Sequence, residues 1–115
     1  MPTGSRLDFP ISLSAESVAQ ASFRPFREGV EICVLHESPD GARAALLRYA
    51  PGASVPAHRH DGFEYIYVIA GEQADHRASC GAGSFVVNEP GTSHRVVSES
   101  GCLVLIIWQR PVTFL

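Results

Sequence analysis

Apolar positions along this chain fall in short runs that glycine and proline interrupt about every ten residues. The run VEICVLHE (30–37) is followed by the turn signal Ser38-Pro39-Asp40-Gly41 and then by RAALLRYA (43–50), which ends at Pro51-Gly52. Propensity and turn chemistry together predict a β-hairpin there. Further strand segments are predicted at FEYIYVIA (63–70), EQADHRASC (72–80), SFVVN (84–88), HRVVSES (94–100), CLVLIIW (102–108) and VTFL (112–115), with Gly71, Gly81, Pro90-Gly91, Gly101 and Pro111 as breaks. Seven or eight short strands so spaced indicate an all-β sandwich or barrel. The one helical candidate is 14–22, where Ser14 is placed to cap an alanine-rich turn or two. Residues 103–108 are apolar at every position, so both faces of that strand must be shielded from water. The second layer is expected from the amino-terminal segment or from a second subunit, which points to a homodimer. The chain therefore divides into an amino-terminal arm, 1–29, and a barrel, 30–115.

At 115 residues, 45% hydrophobic and 18% charged, the chain has the size and composition of a single globular domain that can bury a core without staples. All nine basic residues are arginine, and the net charge is −3. No basic face is evident, which argues against nucleic acid as a partner. Cys33, Cys80 and Cys102 are odd in number and far apart, so neither a disulfide framework nor a cysteine metal site is expected. The amino terminus lacks a signal-peptide core and no apolar run is long enough to cross a bilayer. A reduced, cytoplasmic protein with no membrane contact is the expectation.

The chemistry lies in two segments. In GASVPAHRHDGFEYIYVIAG (52–71), His58, His60 and Glu64 share strand parity, so they are expected to point to one side. Imidazole nitrogen with carboxylate oxygen suits one divalent ion such as Zn, Fe, Mn or Ni. In GSFVVNEPGTSH (83–94), a strand ends in a Pro-Gly turn and His94 opens the next strand; beside the first segment it supplies a fourth ligand. An exposed His-x-His near a turn with Glu64 solvated is the plainer alternative on spacing alone.

The spacing Gly52-x5-His58-x-His60-x3-Glu64-x6-Gly71 resembles the first motif of the cupins, and 83–94, ending Pro90-Gly91-x2-His94, resembles the second. Glu89 stands where the family usually has proline, and Ser98 where many members have asparagine. PFREGVEICVLHESPDG, LLRYAPGASVPAHRH and the Ser-Gly-Cys ending at Cys102 extend the likeness to the ChrR-type cupins, a group that includes the carboxy-terminal module of zinc-binding anti-sigma factors and is related to acetylacetone-cleaving oxygenases. The resemblance implies a small double-stranded β-helix, a jelly-roll-like barrel, with His58, His60, Glu64 and His94 binding one metal inside. It also implies a small-molecule ligand or substrate. Two functions are in near balance: a metal-dependent, dioxygenase-like enzyme with open coordination positions, and a non-catalytic zinc- or ligand-sensing module whose four ligands saturate the ion. The anti-sigma factors' helical sigma-binding domain has no counterpart in this sequence, so direct sigma-factor inhibition is not expected.

Parity turns Tyr65 and Tyr67 away from the metal and sets Ile66 and Val68 as the cavity floor. Gln73 and Asp75 are candidates for polar pocket contacts, and Arg48 and Arg59 for anion contact or, as is commoner, surface ion pairs. His36, His76 and the cysteines carry no clear signal for a role; His76 is the better placed of the two histidines.

Overall fold

The structure is a computed structural model and describes residues 12–115; the segment read above for a signal peptide lies mostly outside them. One short helix, α1 (Ala15–Ala19), and ten strands follow in order: β1 (Arg24–Arg27), β2 (Val30–Glu37), β3 (Arg43–Tyr49), β4 (Ala53–Arg59), β5 (Glu64–Ala74), β6 (Ser79–Gly81), β7 (Phe85–Asn88), β8 (Ser93–Ser98), β9 (Cys102–Trp108) and β10 (Thr113–Phe114). All pairings are antiparallel. The strand order β1-β2-β3-β9-β5-β8-β4-β10, with β6 and β7 also on β5, is that of a sheet curled on itself. The first half of β5 belongs with β1, β2, β3, β7 and β9; its end pairs with β6 and β8, on the side of β4 and β10.

The predicted hairpin forms, Val30 opposite Tyr49 and Glu37 opposite Arg43, with one bulge between Val34 and His36. Two readings need correction at β5. The strand does not stop at Gly71 but runs through it, because Gly71 adopts φ +76° and lies so close to the β8–β9 turn that a Cβ would fall against the Gly101 carbonyl oxygen, with Cys102 Cα at 2.8 Å. Only glycine allows that crossing from one half of the sheet to the other. The stretch 72–80, read as one strand, is broken after Ala74: the Asp75 carboxylate accepts the backbone N–H groups of Arg77 (2.8 Å) and Ala78 (3.3 Å), closing a turn before β6.

The inner core is built from alternate residues: Val30, Ile32 and Val34 of β2, Ala45, Leu47 and Tyr49 of β3, Ile66 and Val68 of β5, Val96 of β8, and Cys102, Val104 and Ile106 of β9. The outward residues Leu103 and Leu105 are packed too, in a second cluster where Cys33, Leu35 and Leu46 meet Leu13, Val18, Ala21 and Phe23. The layer that the two-sided strand β9 demands thus comes from the chain's own residues 13–23. In that segment α1 is shorter than predicted, with Ser14 as its cap and Ser17 closing a reciprocal capping box. Strand β1 then pairs with β2 and extends the sheet.

Candidate metal centre

His58, at the penultimate position of β4, lies directly opposite His94, the second residue of β8. His60 stands just beyond β4 and is locked to the β7–β8 loop: its N–H donates to Thr92 O and its carbonyl accepts from Gly91 N, both at 2.8 Å. Glu64 opens β5 after the Asp61-Gly62 turn. His60 and Glu64 are therefore not on the strand that carries His58, as simple parity assumed; a turn and a partner strand bring the residues together. All four are buried.

One ligand nitrogen from each of His58, His60 and His94 falls within 4.8 Å of the others, the one such grouping of three among the described residues. Each ring is held by its Nδ1. His58 Nδ1 donates to the carbonyl of Pro56 (2.8 Å), His60 Nδ1 to the Thr92 carbonyl (3.0 Å) with Thr92 Oγ1 at 2.9 Å, and His94 Nδ1 to Asp75 (2.8 Å). A carbonyl only accepts, so these contacts place the proton on Nδ1 and leave the Nε2 lone pair bare. The Nε2 atoms of His60 and His94 are buried without any hydrogen-bond partner. Two orphaned acceptors at one point are what an ion would satisfy, and Nδ1-anchored imidazoles are the form in which histidine binds metal. The donor set fits a divalent ion.

Glu64 stands outside that grouping but adjoins it, Oε1 being 3.3 Å from His60 Nε2. Its two neighbours across the sheet, Asn88 of β7 and Trp108 of β9, each donate to it: Asn88 Nδ2 to Oε1 (3.0 Å) and Trp108 Nε1 to Oε2 (2.8 Å). Burial works to raise the Glu64 pKa, but the polar groups around it, Asn88 among them, outweigh it, and the carboxyl stays below its ordinary range. Asp75 is likewise ionised: burial is outweighed by the Arg77 guanidinium (2.7 Å) and His94, which hold its carboxyl well below the usual range. Arg77 also donates to Asn88 Oδ1 (2.7 Å), so one chain of hydrogen bonds links the supports of His94 and Glu64. Burial lowers His94, Asp75 partly opposing it.

His58, Glu64 and His94 line a cavity of about 450 Å³ whose other walls are largely apolar, including Leu47, Val55, Ile66, Val96 and Ile106, with Tyr49 and Gln73 also exposed to it. Ile66 is on its wall as parity predicted, while Tyr65, stacked with Phe63 and Phe85, and the exposed Tyr67 are not among its lining residues. Gln73 and Asp75 do make contacts at the site, whereas His76 is exposed on the bend after β5. Arg48 and Arg59 are surface ion pairs with Glu31 and Asp61, both at 2.9 Å. The cysteines are all free, and burial raises the thiols of Cys33 and Cys102. Sequence reasoning did not single out Asn88, Thr92, Trp108 or Arg77; Asn88 and Thr92 flank the Pro-Gly turn of the second motif, which was the signal for both.

A family model for the ChrR cupin-like domain matches residues 14–112. The chain belongs to the ChrR cupin-like family. Over 67 residues it is 34% identical to a candidate dimethylsulfoniopropionate lyase, DddL, of Cereibacter sphaeroides, covering 55% of this chain and only 29% of that longer protein. Among solved structures it is similar to the anti-sigma factor ChrR of Rhodobacter sphaeroides in complex with SigE (25% identity, TM-score 0.70, 89% of this chain and 70% of the other). It shares its fold with an acetylacetone dioxygenase of Acinetobacter johnsonii (17% identity, TM-score 0.78, 100% and 83% coverage). No helix among the described residues is long and apolar enough to cross a membrane.

Proposed function

We propose that this cupin is a metal-dependent, dioxygenase-like enzyme acting on a small oxygen-containing molecule, with His58, His60 and His94 holding one divalent ion (Zn, Fe, Mn or Ni) and Glu64 completing the set through Oε1. One observation carries the reading: His58, Glu64 and His94 of the ligand group form part of the wall of a 450 Å³ cavity instead of being sealed in the core. A closed structural site has no use for such a space, whereas a substrate pocket of this size is ordinary. Bound there, the ion supplies Lewis acidity or a centre for oxygen activation. The chain's own contribution is to keep Glu64 ionised and fixed through Asn88 and Trp108, to fix the imidazole tautomers, and to exclude water with the apolar walls.

X-ray absorption at the metal edges, on protein purified without a chelating column, tests this directly. Five- or six-coordinate metal with oxygen uptake or turnover on small carbonyl compounds supports the enzyme. Tetrahedral zinc with no turnover supports a second reading, a zinc- or ligand-sensing module, which the 25% likeness to ChrR favours. His94→Ala is expected to abolish metal retention; unchanged metal content would refute the ligand set.

With β9 covered by residues 13–23, the reason for a homodimer moves to another face. We propose that a second copy covers Phe63, Tyr67, Phe85 and Val87, exposed beside the edge strand β7. Sedimentation of the protein and of a Phe85→Glu variant tests it. Three free thiols fit a cytoplasmic location.

A further inference from the structure

The cavity that holds the metal ligands has a second polar feature. Tyr49, at the end of β3, and Gln73, near the end of β5, are buried, and the Gln73 amide lies 3.4 Å from the Tyr49 hydroxyl, to which it donates. Both line the cavity. Among the described residues no protein acceptor takes the phenol proton, so that proton is available to something in the cavity. Burial holds the Tyr49 hydroxyl far above its ordinary pKa, with the carboxylate of Glu64 adding to the effect, so it is a neutral donor under any physiological condition. The one arginine on the cavity wall, Arg43, is 3.6 Å from Glu37 and ion-paired with it. Arg27, whose charge also reaches Tyr49, is not on the cavity wall but lies over the Phe114 ring, 4.3 Å from its centroid, so among the described residues no unpaired arginine lines the cavity.

Resting on the metal reading above, we propose that Tyr49 is a ligand-binding residue, oriented by Gln73, that donates to a neutral oxygen on the far side of a metal-bound molecule. The ligand class is then a short molecule with an anionic, metal-seeking oxygen at one end, an apolar body matching the Leu47, Val55 and Val96 walls, and an uncharged ketone, ester or amide carbonyl at the other. A second carboxylate is disfavoured, because burying it against a phenol and an amide leaves its charge unpaired. Gln73 is a positioning residue: its amide occupies a lone pair of the phenol oxygen and turns the proton outward.

The test uses the full chain loaded with Co(II), whose visible absorption reports binding of an acid at the metal. The probes are 4-oxopentanoate and 5-oxohexanoate, each against its methyl isostere, 4-methylpentanoate and 5-methylhexanoate, and against pentanedioate. For at least one length, Tyr49→Phe is expected to lower the affinity ratio of oxo acid to methyl acid by about 5- to 10-fold, and Gln73→Met by about 2- to 3-fold, while affinity for the methyl acid stays as it was. Pentanedioate should bind more weakly than the matching oxo acid. A ratio unmoved by Tyr49→Phe, or equal weakening of oxo and methyl acids, overturns the proposal and leaves the metal reading standing. Failure to take up Co(II), or absorption that no acid perturbs, overturns both.

Discussion

The two halves of the curled sheet differ in what their residues are for. The half built on β2, β3, β9 and the start of β5 has strands of seven or eight residues, packed on the inside by the main core and on the outside by residues 13–23. The half built on β4 and β8 carries the three histidines. Both halves hold bulged pairings, after Val34 and Val68 in the first and around Pro56 in the second, but the second spends buried positions on imidazoles, Ser98 and Gln73. The first half holds most of the core; the second, paired to it through β5 and packed on it by Val55 and Val96, holds polar groups that no hydrophobic term rewards. The lesson is that the site is a guest of a fold stabilised elsewhere.

Four changes bear on that contrast. The most damaging should be Gly71→Ala, which attacks the crossing point itself: the Cβ meets backbone rather than a flexible side chain, and φ +76° is strained for alanine. The expected result is loss of soluble folded protein, and a stably folded variant with native circular dichroism would show that the halves are not joined as described. Next is Leu46→Ala, in the outer cluster of the stabilising half. It should cost about 2–5 kcal/mol in chemical denaturation while metal stoichiometry of the folded protein is unchanged. Asp75→Asn should weaken metal affinity by about 10- to 100-fold, because it loosens the anchor of His94, and should also lower the unfolding midpoint of the metal-free protein at neutral pH, because the carboxylate that closes the turn at Arg77 and Ala78 is lost. If Leu46→Ala weakened metal affinity in the folded protein as well, the division of labour would be wrong.

The smallest effect is expected from Glu72→Gln. Glu72 is half-buried and accepts from Ser100 N and Oγ, both at 2.9 Å, and those contacts hold its pKa below the ordinary value. A depressed pKa means a contribution present above the unfolded carboxylate pKa and lost as pH falls through the folded one. The variant should therefore melt slightly below the parent at neutral pH and match it in acid.

Much of the stabilising half was legible in the sequence, because alternation and turn residues act locally: VEICVLHE, the Ser-Pro-Asp-Gly turn and RAALLRYA specify their hairpin without outside help. The three histidines were legible through motif spacing, although parity along one strand was the wrong reason for their meeting. What could not be read was the company they keep. Trp108 and Asn88 reach Glu64 only because β7 and β9 flank β5, and Asp75 reaches His94 across sequence separations of 19 residues. Such contacts follow from strand order, which no local pattern encodes. Likewise, the apolar outer face of β9 announced that it needed a cover but not which segment would provide it.

That cover is thin. The five-residue helix α1 buries none of its own residues completely, so little apolar contact holds the segment around it in place. Beneath it lies Cys33, 4% exposed, its thiol kept protonated by burial. A thiol reagent can reach that sulfur only when the segment lifts. The rate at which Cys33 reacts is therefore a clock for local opening, wired into the protein at a point remote from its chemistry, and it runs without any label having to be introduced.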